Sequence, residues 1–228
     1  MTTFSKKAAL HYGWSIFKKR PWFFVLVTAI FLGISVLAES LTKIDFVEDN
    51  VILAVLFFVL TTVLTWWVYL GYLRITLQAP NTETLSYKML FAETGHTLGN
   101  YIVAVVLFGI IVLAGLILLI IPGIILAIML YFFVYVLLDK NMRPIDTLKE
   151  SKRLTKGHRW NLFWFAIIVA LLNILGAVVV FVGLLVTLPV TLLATVYVYR
   201  ELERHLGLEP AHSVSPTVPE PHLAPMAQ

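Results

Sequence analysis

Charged residues are scarce in this chain and cysteine is absent. Only 13% of its 228 residues are Asp, Glu, Lys or Arg, and none is Cys. A soluble globular protein carries roughly 25% charged residues, so an apolar excess of this size is expected to face lipid. The lack of cysteine excludes disulfides, thiolate metal ligands and a Cys nucleophile, and it leaves the redox compartment open.

Motifs for catalysis and metal binding are also missing. The sequence has no His-Glu-x-x-His, no Gly-x-Ser-x-Gly and no phosphate-binding loop. Its six histidines lie outside the apolar runs, and none pairs with another at ligand spacing on one helix face. We therefore expect no catalytic residue, no metal site and no cofactor, and a protein that is not an enzyme.

The apolar residues are concentrated in long runs. Four runs stand out: Trp22–Ala38, Val51–Leu73, Tyr101–Leu138 and Leu162–Tyr199. A helix of about 20 residues crosses the hydrocarbon core of a membrane. The first two runs are therefore single spans, and the last two, at 38 residues each, are long enough for two spans.

Each of the two longer runs has a proline near its middle, Pro122 or Pro189. Proline suits the first turn of a helix because its missing N–H costs nothing there, so we interpret each run as a hairpin whose second helix begins at the proline. The alternative, one kinked helix about 57 Å long, would overshoot the bilayer. The predicted fold class is an all-α polytopic transmembrane helical bundle with six spans.

The first span has a second interpretation. Residues 1–38 also fit a secretory signal peptide, with a Lys- and Arg-containing start and a cleavage site in Ser35–Ala38. The apolar run exceeds the usual length of about 7–15 residues. We therefore favour an uncleaved first span.

A weak repeat groups the spans in pairs. A mixed polar segment precedes Trp22, Tyr101 and Trp160. Each of these aromatic residues begins a predicted span, and each polar segment is followed by two spans. This pattern predicts three hairpins, each preceded by an interfacial helix that begins near residue 5, 83 or 144. The candidate N-caps of these helices are Ser5, Thr82 or Thr84, and Asp146.

The positive charges fall on one side of this topology. With a cytoplasmic N-terminus, the cytoplasmic segments hold 16 of the 17 Lys and Arg residues, and Lys43 is left on the other side. This bias predicts a multi-pass protein of the inner (cytoplasmic) membrane with both termini in the cytoplasm. We divide the chain into a six-span domain, 1–206, and a disordered Pro-rich cytoplasmic tail, 207–228, which contains five of the ten prolines.

The densest cation cluster precedes the fifth span. We call residues 144–160 the basic elbow; five cations and an indole are predicted to bind lipid headgroups there: Lys149, Lys152, Arg153, Lys156, Arg159 and Trp160. The first four cations share one side of a helix, which Gly157 is expected to end. A nucleic-acid partner is not expected, because the cluster is tethered to the bilayer. Two alternatives stay open for the cluster: it is only a topology signal, or it is a docking face for a protein partner. A homo-oligomer also stays open.

The middle of each predicted span lacks ionisable residues, which ion-coupled transporters and proton relays usually need. Four polar side chains in the last two spans are candidates for helix packing or, alternatively, for lining a path: Asn173, Thr187, Thr191 and Thr195. Our leading prediction is a non-enzymatic integral membrane protein that supports envelope or lipid homeostasis or a membrane complex. The alternative is a transporter or channel for a weakly polar or lipid-like solute.

Short motifs resemble a known family. Pro122-Gly123, the Ser-x-x-Leu-Thr-x-Gly motif from Ser151 to Gly157, and the stretch from Pro189 to Tyr199 are similar to the membrane domain fused to some bacterial glycerophosphoryl diester phosphodiesterases and to its stand-alone uncharacterised relatives. The resemblance covers roughly residues 5–204. It implies an all-helical prokaryotic inner-membrane protein, and it implies no phosphodiesterase activity, because the catalytic barrel is a separate domain.

Overall fold

The computed structural model describes residues 4–42, 50–80, 85–179 and 183–208. In these ranges the chain forms nine α-helices and one short 3-10 helix. In chain order they are α1 Lys6–Lys19, α2 Pro21–Thr42, α3 Val51–Gln78, the 3-10 helix Tyr87–Phe91, α4 Gly95–Leu118, α5 Ile120–Leu130, α6 Phe133–Lys140, α7 Pro144–Leu154, α8 Arg159–Val178 and α9 Leu184–His205. The predicted tail lies, from residue 209 onwards, outside the described residues.

Six stretches of the described chain are long and apolar enough to cross a membrane. They are α2, α3, α4, the pair α5 and α6 taken together, α8 and α9. Consecutive stretches form three helical hairpins, so the prediction of an all-α bundle with six spans is confirmed. Spans alternate in direction, and α2, α4 and α8 therefore begin at the end of the bundle where α3, α6 and α9 finish. We call this the basic end, because 16 of the 17 Lys and Arg residues lie in the segments on that side.

The two long apolar runs turn at different kinds of residue. In the first, Leu119 has an extended backbone and α5 begins at Ile120, so Pro122 lies in the first turn of the second leg, close to the predicted start. In the second, the prediction is wrong, because α9 begins at Leu184 and Pro189 lies inside that helix. Two glycines allow the earlier turn: a Cβ added to Gly183 would lie 2.7 Å from the Cα of Gly176.

The segments before the hairpins begin differently from one another. The Ser5 hydroxyl accepts a hydrogen bond from the Ala8 N–H and caps α1, as predicted. The Asp146 cap is wrong, because α7 begins at Pro144 with Arg143 as its N-cap. Pro144 provides the start, and the Asp146 carboxylate lies in the first turn, where the helix dipole favours it.

The segment before the second hairpin is shorter than its counterparts. Thr82 and Thr84 lie outside the described residues, and the segment after them is a five-residue 3-10 helix capped by Ser86. The three units therefore have the same order of elements, but their first helices differ in length.

The fourth and sixth spans form the centre of the bundle. Half of the fourth span is buried and 56% of the sixth, against 11–22% of the other four. Helix α1 lies so close to α9 that a Cβ added to Gly13 would be 3.0 Å from the Ala194 nitrogen. Large apolar side chains on the outer spans, such as Ile52 and Ile117, are exposed, which leaves faces suited to contact with lipid.

Candidate functional site

Helix α7, the first part of the basic elbow, has two contrasting sides. One side is buried and carries Thr147, Leu148, Ser151 and Leu154, followed by the buried Thr155 at the C-cap. On the other side, Lys149, Lys152, Arg153 and Lys156 are all exposed. The elbow is therefore fixed to the bundle by its small polar and apolar side chains, while its cations are exposed on the other side.

The end of α7 brings further exposed groups to the same place. The helix ends at Leu154, earlier than predicted, and Gly157 lies beyond its cap with φ +87°. A side chain would be strained in that conformation, so the glycine turns the chain into α8. Arg159 and Trp160 begin α8 and are exposed, and the indole of Trp160 stacks on Phe163 with 5.4 Å between ring centroids.

The buried side of the elbow contacts a break in the fourth span, which is the interruption between α5 and α6. Between α5 and α6 the chain makes a turn at Tyr131 and Phe132. The Ser151 hydroxyl donates to the Met129 carbonyl at 3.2 Å and accepts from the Phe132 N–H at 3.1 Å. The Thr155 hydroxyl also lies 3.1 Å from the Met129 carbonyl. These contacts satisfy backbone groups that the break would otherwise leave buried without partners.

A buried ion network lies beside the break at the basic end. The Arg200 guanidinium on α9 makes two 2.7 Å hydrogen bonds to the Asp139 carboxylate on α6 and a 2.8 Å bond to Glu203. Glu203 is fully buried. Paired, two-pronged bonds of this kind are among the strongest that arginine forms.

Further ion pairs extend this network to the elbow. The Lys140 ammonium lies 3.0 Å from Glu150 on α7 and 3.2 Å from Glu203, and Arg153 lies 3.4 Å from Glu150. Three carboxylates thus meet three cations, which offsets much of the cost of removing them from water. The network connects α6, α7 and α9.

Sequence reasoning missed both the break and this network. The weak signal for the network was a set of charges placed one helical turn apart at the end of an apolar run, as at Arg200 and Glu203. Its partners on α6 and α7 are about 50–60 residues away in the chain, and no local pattern pairs them.

The four polar side chains of the last hairpin contact their own hairpin. The Asn173 amide and the Thr191 hydroxyl lie 3.3 Å apart across α8 and α9. Thr191 and Thr195 also bond to carbonyls of their own helix, and Thr187 packs against Gly176. Asn173 therefore forms a contact between α8 and α9.

Two histidines meet at the basic end. The rings of His158 and His205 stack with centroids 5.6 Å apart. Burial, together with the neighbouring His205, lowers the pKa of His158, so this imidazole is neutral near pH 7. Among the described residues, no group of three or more His, Cys, Asp or Glu side chains is placed to hold a metal ion.

Comparison with known proteins gives a family and distant relatives. Residues 84–227 match the model of a family described as "Domain of unknown function (DUF7847)", a range that includes the elbow, the break and the ion network. "Uncharacterized protein Rv2560" of Mycobacterium tuberculosis and "Uncharacterized protein Mb2590" of Mycobacterium bovis are 32% identical to the chain over 133 residues, which is 57% of this chain and 40% of each relative. The match thus spans less than half the length of these curated relatives. No solved structure matches the chain.

The first prediction concerns the break. Replacing Ser151 by Ala removes the acceptor of the Phe132 N–H, and we expect a loss of about 1–3 kcal/mol in unfolding free energy, the cost of a buried group without a partner. Ser40→Ala is the matched control, because the exposed Ser40 hydroxyl bonds only to a carbonyl of its own helix. Unfolding in detergent and hydrogen exchange at Phe132 measure the effect. Unchanged exchange at Phe132 in the Ser151 variant would contradict this role.

The second prediction concerns the ion network. Arg200→Leu leaves Asp139 and Glu203 facing each other without their shared cation, and we expect a loss of about 3–5 kcal/mol. Arg204→Leu is the control on the same helix; its partially exposed pair with Glu201 is expected to contribute about 1 kcal/mol or less. Arg200→Lys should fall between them, since it keeps the charge without the two-pronged bond. Equal unfolding midpoints for the Arg200→Leu and Arg204→Leu variants would exclude a stabilising network.

Proposed function

We propose that this chain, which belongs to the DUF7847 family, is a non-enzymatic integral membrane protein whose basic elbow binds anionic lipid headgroups. In this role it supports envelope or lipid homeostasis or a membrane complex. The observation that carries the proposal is the two-sided elbow, which is locked into the bundle on one side and presents a row of cations on the other.

The exposed cations are available to an external anion. Within the described part of the chain, Lys152, Lys156 and Arg159 form no ion pair, and the pair between Lys149 and Asp146 is long, at 3.7 Å, and exposed. Each cation near an anionic membrane surface contributes about 1 kcal/mol of attraction. Because the Ser151 and Thr155 contacts already fix the helix, little ordering of the backbone opposes binding.

The proposed orientation places the basic end in the cytoplasm of a prokaryotic cell, with the protein in the inner membrane. The concentration of Lys and Arg on that side supports this orientation. The exposed indole of Trp160 at the start of α8 fits the headgroup level, where tryptophan is enriched.

The other expectations from the sequence stay predictions. Transport of a weakly polar solute gains no support from Asn173 and Thr191, because their hydrogen bond to each other already explains them. The resemblance to phosphodiesterase membrane domains, a protein partner and a homo-oligomer are likewise not tested by the matched proteins, which are themselves uncharacterised.

The third prediction tests the orientation. Reporter fusions that are active only in the cytoplasm should be active at both the N-terminus and the C-terminus, because six spans return the chain to its starting side. A fusion in the segment between α2 and α3 should be inactive and serves as the control. An active periplasmic reporter at the C-terminus would exclude the proposed topology.

The fourth prediction tests the headgroup role. Replacing Lys149, Lys152, Arg153 and Lys156 together by Gln should reduce the phosphatidylglycerol retained by the purified protein several-fold, whereas Lys152→Gln alone should do little. Native mass spectrometry at two salt concentrations measures retention, which should fall with salt in the unaltered protein.

A variant of equal charge provides the control for this experiment. Replacing Lys6, Lys7, Lys18 and Lys19 of α1 by Gln also removes four positive charges from the basic end, but it leaves the elbow intact. Retention should then stay near that of the unaltered protein. Retention that is unchanged in the elbow variant and insensitive to salt would exclude headgroup binding.

A further inference from the structure

We propose that a groove between α4, α5 and α8 holds one acyl chain of the anionic lipid whose phosphate the elbow binds, so that groove and elbow form one phospholipid site. This inference rests on the headgroup role proposed above. The groove has a volume of about 370 Å³, and its walls include Phe108 on α4, Ile124 and Ile128 on α5, and Ala166 and Ala170 on α8.

The chemistry of the groove suits a hydrocarbon chain. All of its lining residues are apolar except Tyr131, whose ring is partly exposed at the break. The small side chains of Ala127, Ala166 and Ala170 leave the space between the helices. The volume lies within the roughly 300–1,000 Å³ that ligand pockets in proteins occupy.

The length of the groove matches one leaflet of a bilayer. Along α8 its walls run from Leu162 to Ala170, a distance of about 12 Å at 1.5 Å per residue. Along α5 they run from Tyr131 back to Ile124, over a similar distance in the opposite direction. A leaflet contributes about half of the roughly 30 Å hydrocarbon core, so the groove spans most of the depth that an acyl chain fills.

One helix face joins the groove to the elbow. Arg159, Phe163, Ala166 and Ala170 are spaced at i, i+4, i+7 and i+11, which places them on one side of α8. Arg159 is exposed at the start of this row, and the other three line the groove. A phosphate bound at Arg159 would therefore have its acyl chain directed along the groove.

The same contacts hold the elbow and one wall of the groove. Ser151 and Thr155 bond to the carbonyl of Met129, which follows the groove residue Ile128 and precedes Tyr131 by two residues. The position of the cations is thus fixed relative to the wall of the groove. The elbow cations lie at one end of the groove, and the groove is apolar and spans most of the depth of one leaflet. These two features identify the occupant as an anionic phospholipid.

The test fills the groove without touching the cations. In the Ala166→Phe/Ala170→Phe variant, two phenyl rings occupy the space of the acyl chain. Leu171→Phe/Leu175→Phe adds rings to exposed positions of α8 that do not line the groove, and it serves as the control. Native mass spectrometry then compares the binding of long-chain and short-chain phosphatidylglycerol, with long-chain phosphatidylcholine as the zwitterionic reference.

We expect the unaltered protein and the control to bind the long-chain anionic lipid at least about tenfold more tightly than the short-chain form, since buried methylenes add affinity. The groove-filled variant should lose this preference while its short-chain binding is unchanged. The elbow variant with four Gln substitutions, which keeps Arg159, should bind both chain lengths several-fold more weakly. Long-chain binding at the unaltered level in the groove-filled variant would overturn the groove and leave the headgroup role standing. Equal binding of phosphatidylglycerol and phosphatidylcholine by the unaltered protein would overturn both.

A second measurement does not depend on the folding of a variant. Phosphatidylglycerol with a photoreactive group in its acyl chain should label the unaltered protein at residues 124–131 and 162–170. Labelling spread evenly over the other exposed apolar faces, such as those of Ile52 and Ile117, would overturn the proposed chain site.

Discussion

The rest of this structure depends on how the broken fourth span satisfies its backbone. A helix that crosses a membrane has to bond its own N–H and C=O groups, because the hydrocarbon core offers no water to replace a missing partner. The turn between α5 and α6 frees such groups, and Ser151 and Thr155 supply the partners from outside the span. A helix that brings these hydroxyls to the break has to pack against the bundle in one orientation about its own axis. That orientation sends its lysines and arginines outwards, so the break determines which side of the elbow is charged.

The ion network adds a second constraint on the same helix. Asp139, Arg200 and Glu203 are largely removed from water, and each is tolerated because the others compensate its charge. Lys140 connects this group to Glu150 on α7. Hydroxyl bonds to the break and ion pairs to the central spans therefore reach the elbow from two sides. Two kinds of contact restrict both its rotation and its distance from the bundle, which is what a preorganised binding surface requires.

Features with a local cause could be predicted from the sequence, and features with a distant cause could not. Span number and the turn near Pro122 follow from run length and from the preference of proline for a first helical turn. The same preference failed at Pro189, because the close approach of Gly176 and Gly183 allowed the chain to turn earlier. The row of elbow cations follows from helical periodicity. The Ser151 contact with the break could not be predicted, since a hydroxyl in a polar segment does not show which carbonyl it will face 22 residues away.

A count of charges along the sequence does not distinguish one cation from another. The structure shows that some cations pair with buried carboxylates and that others are exposed. Arg200 and Lys140, on the central spans, neutralise buried carboxylates and stabilise the bundle, whereas Lys152 and Lys156 are exposed on the elbow. The first group is held by the protein, and the second can interact only with what lies outside it. A membrane supplies both the negative headgroups that the exposed cations attract and the hydrocarbon that the neighbouring groove can hold. In the proposed site, the polar and the apolar part of one lipid molecule lie at adjacent places on the protein, and the break in the fourth span supports both places.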